Sequence, residues 1–160
     1  MENWIFLFIP EFHPLMAFKI IFYIIFMTLS TANLASSASE TKLPPCRDSP
    51  NCVSSQAQDA KHFIEPFKII GSPDEAWNAL KKAIDNHSRM VITHETADTL
   101  HAEATSLVFG FVDDINAILD AGTNLIHIRS ASRTGHSDFG VNRKRIEALR
   151  LELQKAHVID

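Results

Sequence analysis

Thr99-Leu100-His101-Ala102-Glu103-Ala104-Thr105-Ser106 decides the fold of this 160-residue chain. Leu100, Ala102 and Ala104 alternate with His101, Glu103 and Thr105, so an extended strand here has one apolar and one polar face. A strand of that kind belongs in an antiparallel sheet covered on one side only. Met90 to Glu95 reads as its partner across a turn at Ala97-Asp98, giving a hairpin. Downstream, Val108 to Val112 is an apolar run stopped by Asp113-Asp114, and Ile115 to Leu119 is another short strand. Asp120-Ala121-Gly122 turns the chain into a further strand, Asn124 to Ser132. Upstream, His62 to Ile70 reads as the first strand, with Pro66 placing it at an edge or bulge.

Two helices frame these strands. Ser72-Pro73-Asp74-Glu75 supplies a capping serine, a proline at the first position and acids in the first turn. Ala76, Trp77, Leu80, Ala83 and Ile84 then recur at helical spacing through Asn86. Asn142 to Gln154 closes the chain with Ile146, Leu149 and Leu153 on one stripe. The expected class is α+β: a single domain, with a curved antiparallel sheet and two main helices packed on one face.

The N-terminal end has a different character. Lys19 precedes the apolar run Ile20 to Leu29, and small residues follow, in the order of a secretory signal. Residues 1–38 are therefore expected to be a leader, with Met16 as an alternative start, and 39–45 a linker before a domain at 46–156. An uncleaved anchor is the other reading of the same run. It would give the chain its membrane contact, although the run is short for a span of ~20 apolar residues. Export into the periplasm or another extracytoplasmic space would make Cys46-Arg47-Asp48-Ser49-Pro50-Asn51-Cys52 a local disulfide loop. Redox or metal use of the two cysteines fits the spacing less well. No metal site and no cofactor are expected.

Charge is uneven. From Pro45 to Thr123 there are 6 Lys/Arg against 12 Asp/Glu, and from Asn124 to Asp160 there are 7 against 4. The basic excess of the tail is too small for a nucleic-acid surface. It suits internal pairing, or a small anionic ligand.

Chemistry concentrates in Arg129-Ser130-Ala131-Ser132-Arg133-Thr134-Gly135-His136-Ser137-Asp138-Phe139-Gly140-Val141-Asn142-Arg143. Strand alternation sends Arg129 and Arg133 out on the face opposite Ile126 and Ile128, ~13 Å apart. His101, Glu103 and His127 share that outward sense, as a ligand platform or as a solvated face with cross-strand pairs. Asp113 and Asp114 point to opposite faces, and one is expected to hold an arginine fork. Arg143 lies in the first turn of the last helix beside Asn142, where free amides and the helix dipole favour an anion unless Asp138 takes the position. Contiguity disfavours His136-Ser137-Asp138 as a triad, and a turn or cap is the better reading.

Three blocks, Cys46 to Ser55, Phe111 to Asp114 and Arg129 to Arg143, resemble the DUF1499 proteins, a family of unknown function. The resemblance runs from Cys46 to about Leu153. It implies a combined site where the cysteine loop, the Asp pair and the arginine segment meet, but brings no reaction or cofactor. The expected function is an exported, non-catalytic binding or accessory domain for a small anionic or polar ligand. Its ligand residues would be Arg129, Arg133, Arg143, Asp113, Asp114 and Asn142. The alternative is a hydrolase or transferase that uses Asp114, His136 and Ser132.

Overall fold

The computed structural model describes residues 42–107 and 110–160. The expected leader and residues 39–41 of the linker lie outside them. Six strands and two helices follow in order: β1 (Cys52–Ser54), β2 (Phe67–Lys68), α1 (Pro73–Asn86), β3 (Met90–Glu95), β4 (Thr99–Thr105), β5 (Val112–Asp120), β6 (Leu125–Ser132) and α2 (Val141–Lys155). The strands form one antiparallel sheet in the order β1-β6-β5-β4-β3, and β2 pairs with the start of β6 along the same edge as β1. This is an α+β domain. Among the described residues no helix is long and apolar enough to cross a membrane.

The alternation in β4 does what its pattern dictates. Leu100, Ala102 and Ala104 are buried, and across the sheet they join Ile115, Ala117 and Leu119 of β5 and Ile126 and Ile128 of β6. Ala76, Trp77, Leu80, Ala83 and Ile84 of α1 and Ile146, Leu149 and Leu153 of α2 close the same core. The three alanines leave no bulk on the sheet, so the helices can pack close above it. Ser72 caps α1 as its sequence requires, its hydroxyl accepting from the Glu75 amide at 3.4 Å.

Two strand readings change. Asp113-Asp114 does not stop a strand: β5 runs through both residues for nine positions. Antiparallel pairing on both sides, Asp114 with Glu103 and with Ala131, supplies the backbone bonds that outweigh the poor strand propensity of aspartate. The upstream part of that apolar reading, at Val108, lies outside the described residues. The first strand is also shorter than His62 to Ile70, because only Phe67 and Lys68 pair in a ladder. Pro66 has no amide to donate, and His62 is buried with its ring bound to Asp59 and to the Ser49 carbonyl. The short strand β1 forms just beyond the cysteine loop.

Candidate functional site: two arginine networks on opposite faces

The helix-facing network is buried. Arg145 of α2 donates to the Asp113 carboxylate at 2.7 Å, and the two side chains are only 8% and 6% exposed. Arg145 also donates to Ser130 Oγ at 2.9 Å and to Asn142 Oδ1 at 2.7 Å. Asn142 is fully buried, and its amide nitrogen donates to the Asn51 carbonyl, to Ser132 Oγ and to the Asp138 carboxylate. Asn51 in turn donates to the Gly135 carbonyl at 2.8 Å, and its own carbonyl accepts the Ser132 amide. The end of the cysteine loop, Asp113 and the arginine segment therefore meet through hydrogen bonds, and these polar groups satisfy one another.

Asp138 completes the latch. Its two oxygens accept the Gly140 amide at 2.9 Å and the Asn142 amide at 2.8 Å, so the start of α2 already holds a carboxylate of its own chain. Arg143 lies apart, donating to the Lys61 carbonyl at 3.1 Å. His136 is exposed in the loop between β6 and α2.

The other face of the sheet carries His101, Glu103, Asp114, Asn116, His127, Arg129 and Arg133. The register sets His101 beside Asn116 and Asn116 beside Arg129, with Glu103 beside Asp114. One oxygen of Asp114 accepts from His101 Nε2 at 3.0 Å and from Arg133 Nε and Nη2 at 3.0 and 2.8 Å. Arg133 Nη2 also donates to Glu103. Burial raises the Asp114 pKa, but the hydrogen bonds and charges of Arg133 and His101 outweigh it and hold the carboxyl below its ordinary range. The same two carboxylates raise the pKa of Arg133.

Arg129 is different. It donates one hydrogen bond, from Nη1 to Asn116 Oδ1 at 3.2 Å, and its Nε is buried with no partner among the described residues. Burial lowers its pKa against the opposing pull of Asp114, and Arg47 lowers it further. Beside Asn116 opens a cleft of about 100 Å³, bounded by Lys42, His94, His101 and the apolar Leu43 and Ile118. Leu43 is buried, and its amide donates to Gln56 Oε1 at 2.8 Å. Three residues further on, the Cys46–Cys52 disulfide ties this segment to β1. A second cleft, of about 340 Å³, lies where His127 meets the hairpin turns, but Asp98 and Asp120 line it. His127 Nδ1 sits 3.3 Å from Ser55 Oγ. Among the described residues no three His, Cys, Asp or Glu side chains converge as metal ligands.

The structure thus divides the residues singled out in the sequence. Arg129, Arg133 and Asp114 share the open face, Asp113, Asn142 and Ser132 face the helices, and Arg143 and His136 join neither group. Three contributors escaped the sequence reading. Arg145 stood beside Arg143 with nothing to separate their roles, while Asn116 and Leu43 acquire theirs only through strand register and the path of the cysteine-tied segment.

Residues 42–153 match the family model of a protein of unknown function, DUF1499. The chain belongs to the DUF1499 family. No curated protein and no solved structure matches it.

Proposed function

We propose that this DUF1499 chain is an exported, non-catalytic domain that binds a small anion, of carboxylate or phosphate type, on the open face of its sheet. The observation that carries this reading is Arg129. Arg133 and Arg145 are each committed to aspartates, whereas Arg129 has one neutral partner and a buried Nε with none among the described residues. An unsatisfied buried donor costs roughly 1–3 kcal/mol, which an anionic acceptor would recover. The cleft beside Asn116, the partner of Arg129, suits such a guest in size, and Lys42, His94 and Asn116 offer donors along its wall. Export is supported by the leader-like order of residues 19–35 and by the disulfide.

The hydrolase or transferase reading has less support. Asp114 lies on the open face and Ser132 on the helix face, where its hydroxyl meets Asn142, and His136 sits in an exposed loop. A proton relay needs these groups within hydrogen-bond reach.

Titration calorimetry with acetate, succinate and inorganic phosphate tests the proposal against Arg129→Gln. Saturable binding by the parent, weakened at least about tenfold in the variant, is expected from the loss of a charged donor. Equal binding by both proteins, or none by the parent, would overturn it.

A further inference from the structure

At one end of the sheet, large apolar side chains stand in solvent. The β4–β5 hairpin is closed by the Ser106 amide donating to the Phe111 carbonyl and the Phe111 amide donating to Ser106 Oγ. Leu107 and Phe111, beside this closure, are 76% and 54% exposed. β6 leaves the sheet beside them, since the Arg133 amide donates to the Val112 carbonyl. The loop that follows presents Phe139, which is 89% exposed.

Phe139 is held there by construction. Its φ is +53°, a left-handed conformation unusual for an aromatic residue. Ser137 Oγ accepts its amide, and Asp138 fixes the residues immediately after it. A strained backbone kept in place by such a network, with nothing packed on the side chain, indicates a working position.

The charges around the tips favour one partner. Arg89 reaches this end of the sheet, its carbonyl accepting the Thr105 amide, and Lys144 lies one turn into α2 from Phe139. Both are exposed, and neither has an ion pair among the described residues. Of the carboxylates on β4, β5 and the loop before α2, Glu103, Asp113, Asp114 and Asp138 are engaged by arginines or backbone amides. Three side chains of this size present roughly 400 Å² between them. A stable protein interface needs about 800 Å² per partner. Exposed apolar side chains with cations beside them match a lipid surface, where aromatics sink to the headgroup level and cations meet anionic phosphates.

We infer that Leu107, Phe111 and Phe139 form a wedge that docks this end of the domain onto an anionic bilayer, with Arg89 and Lys144 as its electrostatic guides. The contact is independent of the anion cleft and of the N-terminal apolar run.

The test reads depth at a single position of the full chain, so binding through residues 1–38 does not confuse it. Phe139→Cys and, separately, Leu151→Cys on the exposed side of α2 are labelled with an environment-sensitive fluorophore, with the native disulfide confirmed by mass. Vesicles of phosphatidylcholine and phosphatidylglycerol in equal parts are added. The probe at 139 should shift to the blue, brighten several-fold and be quenched by spin-labelled lipid, while the probe at 151 should not respond. Each guiding cation is worth about fivefold for an anionic surface, so Arg89→Glu with Lys144→Glu should weaken the response at least about 25-fold. A silent probe at 139 on vesicle-bound chain, or equal responses at 139 and 151, would overturn the wedge. A response at 139 that grows with protein concentration in the absence of vesicles would overturn it too, since the tips would then join two copies of the chain.

Discussion

Asp113 and Asp114 are adjacent in sequence, and their carboxylates serve opposite faces of one sheet: Asp113 holds Arg145 beneath the helices, and Asp114 holds Arg133 in the open. A strand makes this unavoidable, because consecutive side chains leave on opposite sides. The consequence is energetic. The same kind of ion pair sits once in a buried setting and once in a hydrated one, within a single dipeptide.

The two pairs should therefore differ sharply when broken. Arg145→Ala leaves Asp113 buried and uncompensated, and should cost about 3–5 kcal/mol of unfolding free energy in urea titration. Arg133→Ala leaves Asp114 partly hydrated and still bonded to His101, so its midpoint should stay close to that of the parent. Similar losses in the two variants would show that burial is not what separates the pairs.

The depressed pKa of Asp114 gives a pH dependence with a definite sign. Its carboxyl is below the ordinary value when folded, so between the folded and unfolded values the unfolded chain binds more protons. Its contribution is present above the ordinary carboxylate pKa of about 3.9 and is lost as pH falls through the folded value. Asp59 and Asp120 are lowered as well and act in the same direction. Asp114→Asn should flatten the acid side of the stability curve, read as midpoints of urea unfolding at stepped pH. An unchanged slope would remove Asp114 from the acid response.

How far the sequence could be read follows from these same residues. Period-two alternation in Thr99–Thr105 and Leu125–Ser132, and helical spacing in Pro73–Asn86, are local signals, and the structure keeps them. The alternation also placed Arg129 and Arg133 on the open face. Local pattern could not show that Arg145 rather than Arg143 reaches Asp113, because that depends on how α2 lies against β5 and β6. Nor could it show Leu43 buried in a segment that reads as linker, since its place beside Gln56 and the cleft at β4 and β5 is set by the folded path of the chain. Asp113-Asp114 read as a stop because propensity was the only guide available there, and ladder pairing on both sides overrides it.

The disulfide offers a further test. With a separation of six residues its loop is short, so chain entropy assigns it only about 2 kcal/mol. Its larger effect should be on the segment it tethers. In Cys46→Ser/Cys52→Ser, amide exchange at Leu43, whose N–H is bound by Gln56, should accelerate far more than exchange in the core of β5. Uniform acceleration across both sites would mean that the bridge supports the whole domain.

Asp138 and Asn142 allow the latch itself to be dissected. Asp138 accepts two backbone amides at the start of α2 and one bond from the Asn142 side chain. Asp138→Ala should cost about 1–2 kcal/mol, the range for a lost helix cap, because the exposed loop lets water reach the freed amides. Asn142 is wholly buried, and its side-chain oxygen accepts from both Ser130 and Arg145. Asn142→Ala strands the Ser130 hydroxyl, takes one acceptor from Arg145, leaves the Asn51 carbonyl with the Ser132 amide alone and opens a buried void, and should cost more than Asp138→Ala, about 3 kcal/mol. The double variant should lose less than the sum of the two, because the Asp138–Asn142 bond is counted in both single changes. Strict additivity in a double-mutant cycle, measured by urea unfolding, would show that the two residues act separately.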